Sequence, residues 1–266
     1  MANLQEENAK MKRDSTTHSL TNLANRKQAI TTFEMARKQP DFVAGKNNVV
    51  LVRFDLDGFK RINDNFGHFA GDETLKNVAD NLTRALAKLQ PTDLPVHFSG
   101  DEFGLILTDI NPGKNKDGSD KTIEETVEMV ISKVITEIEK IELPNGKKLT
   151  ASAGFKIISK DSSGDFGVLD NQADTAAAIS KGCKFIPGLE KGSARIANYD
   201  EPEEDFLKRK NISLEQFNES KLQNKFERDV TEQFPTEQFP DGVPDEVTIK
   251  TKQLVKSILE AKGHKN

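Results

Sequence analysis

Alternating strand and helix patterns over the first 200 residues predict an α/β or α+β domain built around a central sheet. Three observations carry that prediction. Residues 47–54 (NNVVLVRF) form a β-rich run. Apolar residues recur at roughly helical spacing on either side of it, at Leu20, Leu23, Ile30, Phe33 and Met35 before and at Leu75, Val78, Leu82, Leu86 and Leu89 after. Two further apolar runs, 96–98 and 103–107, flank the tight turn Ser99-Gly100-Asp101-Glu102, the pattern of a hairpin.

Taken in order, residues 1–13 are a short polar lead in which Leu4 and Met11 are the only large apolar side chains, and a helix is expected over 14–38. The strand 47–54 is bounded by Gly45 and by the acidic turn Asp55-Leu56-Asp57-Gly58. Helices are expected over 59–66 and 74–89, with a turn at 67–71 between them. After the hairpin, residues 111–121 (NPGKNKDGSDK) are a polar loop rich in turn formers. An amphipathic helix follows over 123–141, then a strand over 149–158 with Gly154 inside it. An alanine-rich helix over 173–181 and a last strand over 195–198 complete the domain.

From about residue 200 the character changes. Residues 201–266 hold four of the ten prolines and a direct repeat, TEQFP at 231–235 and again at 236–240. Residues 247–262 are amphipathic through Leu254, Val255, Ile258 and Leu259. The expected organisation is therefore a lead (1–13), one domain (14–200) and an appended tail (201–266) of two helices joined by an extended, proline-containing linker, with a partner that the sequence does not name.

Composition narrows the function. The 266 residues carry a formal charge of −5, with 35% hydrophobic and 30% charged residues. That permits one sizeable core plus polar segments, and it implies no general polyanion-binding surface, so a nucleic-acid polymer is not an expected partner. The longest apolar runs are a few residues, too short for a membrane span. A single cysteine, Cys183, excludes an internal disulfide and fits a reducing compartment. No signal-peptide pattern stands at the start, and a cytoplasmic location is expected.

The chemistry gathers around four acidic residues. Asp55 and Asp57 follow an apolar strand, and Asp101 and Glu102 sit at a hairpin tip. If the strands are neighbours, three or four carboxylates converge at one edge, a repulsion that a cation would relieve. Hard oxygen donors of this kind suit Mg²⁺, which takes a few carboxylates together with phosphate oxygens and water. Gly58 lets backbone N–H groups approach phosphates at the start of the next helix, and Lys60 on its first turn could neutralise one. Asn63, His68 and Asp72 follow, an amide and a carboxylate able to accept the N–H donors of guanine. Each type also serves plain structural ends: carboxylates favour turns, Asn63 and Asp72 suit caps, and His68 a structural hydrogen bond. The combination is what points to chemistry.

FDLDGFKRINDNFGHFAGDETL followed by FSGDEFGLIL closely resembles the GGDEF family of diguanylate cyclases. HSLTNLANR at 18–26 resembles that family's DxLTxLxNR motif, with His18 where aspartate is usual, and TASAG at 150–154 and ADTAAAISK at 173–181 resemble two later blocks. The resemblance implies a mainly antiparallel central sheet flanked by helices, of the nucleotidyl-cyclase or palm-like kind. It implies condensation of two GTP molecules into cyclic di-GMP with release of two pyrophosphates, by a dimer in which each subunit brings one GTP. Mg²⁺, with Mn²⁺ as an alternative, is the implied metal. Asp55, the Leu56 carbonyl, Asp101 and Glu102 match metal-binding positions, and Asp101 also matches the residue proposed to deprotonate the attacking 3′-hydroxyl. Asn63, His68 and Asp72 match substrate-binding positions, and Lys60 and Lys181 match phosphate-contacting ones.

The chain departs from the pattern at Ser99, which replaces the first signature glycine, at Ala178 in place of a tyrosine, and after Lys181, where the usual K-x-x-G-R block is disrupted and Arg195 comes only later. A product-binding R-x-x-D usually precedes the signature. Here Gln90-Pro91-Thr92-Asp93 keeps only the aspartate, and His97 stands where a further arginine is common, so weak or absent product inhibition through this site is expected. A catalytically silent domain that binds GTP or another nucleotide as a regulatory or protein-interaction module remains the alternative reading.

Overall fold

The computed structural model describes residues 15–87, 93–108, 117–189 and 196–233, together with positions 110, 112, 114, 115 and 192. Its elements are α1 (Arg26–Arg37), α2 (Pro40–Val43), β1 (Val49–Leu56), α3 (Phe59–Ala87), β2 (Leu94–Ser99), β3 (Glu102–Leu107), α4 (Ile123–Ile138), β4 (Ala151–Ile158), α5 (Phe166–Gly182), β5 (Ala197–Asn198), α6 (Glu203–Arg209) and α7 (Leu214–Gln233). The strands form one sheet in the order β2-β3-β1-β4-β5. Every pairing is antiparallel except β4 with β5. This is the mixed architecture, helices around a mainly antiparallel sheet, that the sequence predicts.

β1 lies in the middle, which explains why it reads as a run of apolar residues rather than an alternation: both faces of a central strand are covered. Val50, Val52, Phe54 and Leu56 enter a core with α3 and α4, through residues such as Leu75, Leu82, Val127 and Ile131. Val49 and Leu51 point the other way, into a second core with Phe33 of α1 and Phe166, Leu169 and Ala173 of α5. Arg53 and Asp55 fall on this second face by the same period of two. Burying each large apolar side chain stabilises the fold by about 1.5–3 kcal/mol.

The helix expected over 14–38 starts later. Asn25 caps α1, its side chain accepting from the Gln28 amide. Residues 17–25 instead fold back on themselves, Thr17 bridging to Ala24 and Asn22 adopting positive φ. α4 starts at a capping box between Thr122 and Glu125 and ends at Ile138, short of the expected 141. The turn expected at 67–71 is a kink at one residue: Gly67 (φ 79°, ψ 162°) alone leaves helical geometry, and α3 runs through it. Gly154 is required in β4 because α5 crosses directly above it; a Cβ there would lie 2.0 Å from the Ala177 nitrogen.

Past residue 200, α6 and the start of α7 pack onto the end of α5. Phe206, Leu207, Ile212 and Phe217 form a third core with Ala176, Cys183, Ile186 and Ala197. The Asn224 side chain donates to the Lys181 carbonyl at 2.8 Å. The second TEQFP and the helix expected over 247–262 lie outside the described residues, as do residues 1–13, Gln90 and Arg195. Among the described residues no helix is long and apolar enough to cross a membrane.

Candidate functional site

The register of the sheet assembles the acidic residues. Asp55 at the end of β1 is directly opposite Glu102 of β3 on one side and Ser152 of β4 on the other. The Leu56 amide points to the Asp101 carbonyl at 3.4 Å, closing the end of β1 against the hairpin turn. Gly100 supplies the turn's positive φ of 51°. Ser99 does not have positive φ, so serine in place of the usual glycine imposes no backbone strain here.

Each carboxylate has a different environment. Asp55 forms an ion pair with Lys181 at 2.6 Å, helix α5 delivering the ammonium to the strand end. Burial pushes the Asp55 carboxyl above its usual range; Lys181 pulls it down, and the charges of Asp101 and Asp57 add to the upward push. Asp57 accepts from the Thr150 hydroxyl at 2.7 Å and the Ser152 hydroxyl at 2.9 Å. Its carboxylate therefore ties the turn after β1 to β4. Glu102 accepts from Arg53 at 3.0 Å and from the Ser99 hydroxyl at 3.4 Å.

The convergence of three or four acids is thus only partial. Among the described residues no three His, Cys, Asp or Glu side chains form a group that could hold a metal ion. The reason is local: Asp57 is turned toward β4 and Glu102 toward Arg53. What remains still fits Mg²⁺, which binds through one or two carboxylates and leaves its other positions to water and substrate phosphates. The donors are all oxygen, and the carboxylates that would hold the ion already draw cationic side chains to themselves.

Asn63, His68 and Asp72 lie along α3 on either side of the kink. Asn63 is half-buried, and its amide packs over Gly71, where a Cβ would come within 1.9 Å of its oxygen. Gly71 immediately precedes Asp72, so the kinked helix brings the amide close to the start of the carboxylate's turn. His68 and Asp72 are exposed and one turn apart, on one face of the helix. Lys60 is exposed on the first turn.

His97, which stands where a further arginine is common in the family, does not face solvent. It is fully buried rather than presented to a ligand. Its Nε2 donates to the Gly100 carbonyl at 2.9 Å, and its Nδ1 accepts from the Thr21 hydroxyl at 3.0 Å. The ring lies between His18 (centroids 3.7 Å apart) and Phe103 (4.2 Å, stacked). Burial lowers its pKa from 6.5 to about 4, against the raising effect of the Gly100 carbonyl, and the nearby His18 adds to the lowering. His97 therefore connects the 17–25 segment to the hairpin turn. Asp93 is buried too, near the Thr108 amide.

Sequence reasoning missed Arg53, although a signal was present: one charged residue inside the run VVLVRFDL, on a strand covered on both faces. It also missed Thr150 and Ser152, whose role depends on strand register.

The family model described as "Diguanylate cyclase, GGDEF domain" matches residues 15–184. The chain belongs to this family. It is 29% identical over 206 residues to the diguanylate cyclase TpbB of Pseudomonas aeruginosa, an alignment covering 76% of this chain and 42% of that one. It is 39% identical over 93 residues to the diguanylate cyclase DgcP of the same organism, covering 34% of this chain and 13% of that one. The chain thus spans about two fifths of the length of TpbB and less of DgcP. Among solved structures, the coiled coil and GGDEF domain of DgcB from Caulobacter crescentus, in complex with c-di-GMP, matches with a TM-score of 0.56 at 25% identity, covering 74% of this chain and 92% of that one.

Proposed function

We propose that this chain is a diguanylate cyclase that joins two GTP molecules into cyclic di-GMP and releases two pyrophosphates. The observation that carries the reading is the strand-end arrangement of Asp55 opposite Glu102 and beside Asp101, with Lys181 delivered to it by α5.

Asp55, the Leu56 carbonyl, Asp101 and Glu102 are the groups that would hold Mg²⁺, with Mn²⁺ as an alternative. When bound, the ion neutralises phosphate charge and lowers the pKa of the attacking hydroxyl. Asp101 takes the proton of the 3′-hydroxyl. The 3′-oxygen then forms its bond to the α-phosphorus of the second GTP while the bond to pyrophosphate breaks; a second such exchange closes the ring. Lys181 leaves Asp55 to contact phosphate, as Lys60 does from the first turn of α3. Asn63 and Asp72 accept the N1–H and N2–H₂ donors of guanine, and His68 lines the same helix face. Two subunits face each other, each with one GTP, because proximity of the two nucleotides is much of the catalysis. The catalytic unit is residues 14–200, with 1–13 as a lead and 201–266 as an appended segment, acting in the cytoplasm.

A second reading, a catalytically silent nucleotide-binding module, is favoured by Arg53 engaging Glu102 and by the disrupted block after Lys181. Incubating the full chain with GTP and Mg²⁺ and separating the nucleotides by chromatography distinguishes them. Cyclic di-GMP is expected, and Asp101→Ala is expected to abolish it with an unchanged melting temperature. Bound but unreacted GTP would establish the silent module, and substantial turnover by Asp101→Ala would sink the assignment of Asp101.

A further inference from the structure

Two of the acidic residues are already engaged by cations, and the two cations differ in kind. Lys181 is a long, flexible side chain, 38% exposed, that can withdraw from Asp55. Arg53 cannot withdraw. Its side chain is 7% exposed, and the Phe98 ring lies 4.0 Å from its guanidinium carbon. Asp170 and Asp174 stand at 3.7 Å on the α5 side. Gly104, Arg53's partner in the β1–β3 register, makes room for this stack, since a Cβ there would meet the Phe98 ring at 2.6 Å. The Nε and Nη1 atoms of Arg53 have no hydrogen-bond partner among the described residues, leaving Nη2 on Glu102 as its directed contact.

We infer that Arg53 is a positioning residue and a permanent counter-ion of the second signature acid. It holds the Glu102 carboxylate through one oxygen and offsets part of its charge, so that Asp55 and Asp101 carry more of the attraction for a divalent cation. This rests on the proposed metal site. Its consequence is a site that binds divalent cations weakly until nucleotide phosphates add their charge. Lys181 is displaced when the ion arrives, whereas Arg53 stays.

Removing the guanidinium alone leaves the buried carboxylate of Asp170 with Arg26, at 3.2 Å, as its remaining ion-pair partner and takes away half of its compensation, which would destabilise the fold. The test therefore uses the double variant Arg53→Met/Asp170→Leu, which removes both buried charges, and the single variant Arg53→Lys, which keeps the charge but loses the fork. Mn²⁺ alone is titrated into the full chain, without nucleotide, and free Mn²⁺ is read by electron paramagnetic resonance. Freeing the Glu102 carboxylate from its counter-ion should tighten Mn²⁺ binding by roughly tenfold in the double variant, with Arg53→Lys remaining within about threefold of the unmodified chain. Binding that is unchanged or weaker in the double variant overturns the role of Arg53, provided that Asp101→Ala still weakens binding. Mn²⁺ binding that Asp101→Ala does not affect, or that is absent throughout, overturns the metal site itself.

Discussion

Acidification should weaken this fold through His97 in a way that one substitution can isolate. The ring is buried between His18 and Phe103, and burial lowers its pKa from 6.5 to about 4. The unfolded chain therefore binds a proton more readily than the folded one, and stability that is complete above pH 6.5 drains away as the pH falls toward 4. With those two values, linkage gives a loss of about 2 kcal/mol between pH 7 and pH 5. The lowered pKa of His18 acts in the same direction. The raised carboxyls of Asp55 and Asp170 act oppositely, since the folded state binds their protons more tightly. A comparison with His97→Gln removes these shared contributions: the amide can still donate to the Gly100 carbonyl and accept from Thr21, but it does not titrate. Urea unfolding at pH 7 and pH 5 should show the unmodified chain losing about 2 kcal/mol more than the variant. Equal losses would refute the reasoning, as would an NMR titration of the His97 ring with a midpoint near 6.5.

Two further outcomes follow from packing and from base recognition. Gly154→Ala places a methyl group 2.0 Å from the Ala177 nitrogen and 2.4 Å from the Ala176 carbonyl carbon, backbone atoms that yield only if α5 shifts. The variant should lose about 3 kcal/mol in urea unfolding, and a loss under about 1 kcal/mol would show that α5 is not seated on this glycine. Asp72→Ala should lower the preference for GTP over ATP, read as the ratio of kcat/KM values, by about thirtyfold. An unchanged ratio would remove Asp72 from guanine recognition.

The order of strands and helices was legible because it is written in local periodicity. Residues 47–54 read as a strand, 123–141 as an amphipathic helix and 99–102 as a hairpin turn without knowledge of any neighbour. The acidic turns after β1 and within the hairpin, and the GGDEF resemblance they carry, are also contiguous text. Local pattern misled where a short segment could satisfy its hydrogen bonds in more than one way. Residues 17–25 have helical spacing, yet they fold back because Asn25 caps the following helix and the Ala24 carbonyl accepts the His97 amide. Tertiary structure alone decided the state of each charge. Asp57 is spent on Thr150 and Ser152 of β4, Asp55 on Lys181, and Glu102 on Arg53, pairings between residues 49 to 126 positions apart. Electrostatic energy depends on distance in space and on burial, neither of which spacing along the chain encodes. A sequence can therefore show which residues are able to carry the chemistry, while strand register and the path of α5 determine which of them are free to do so.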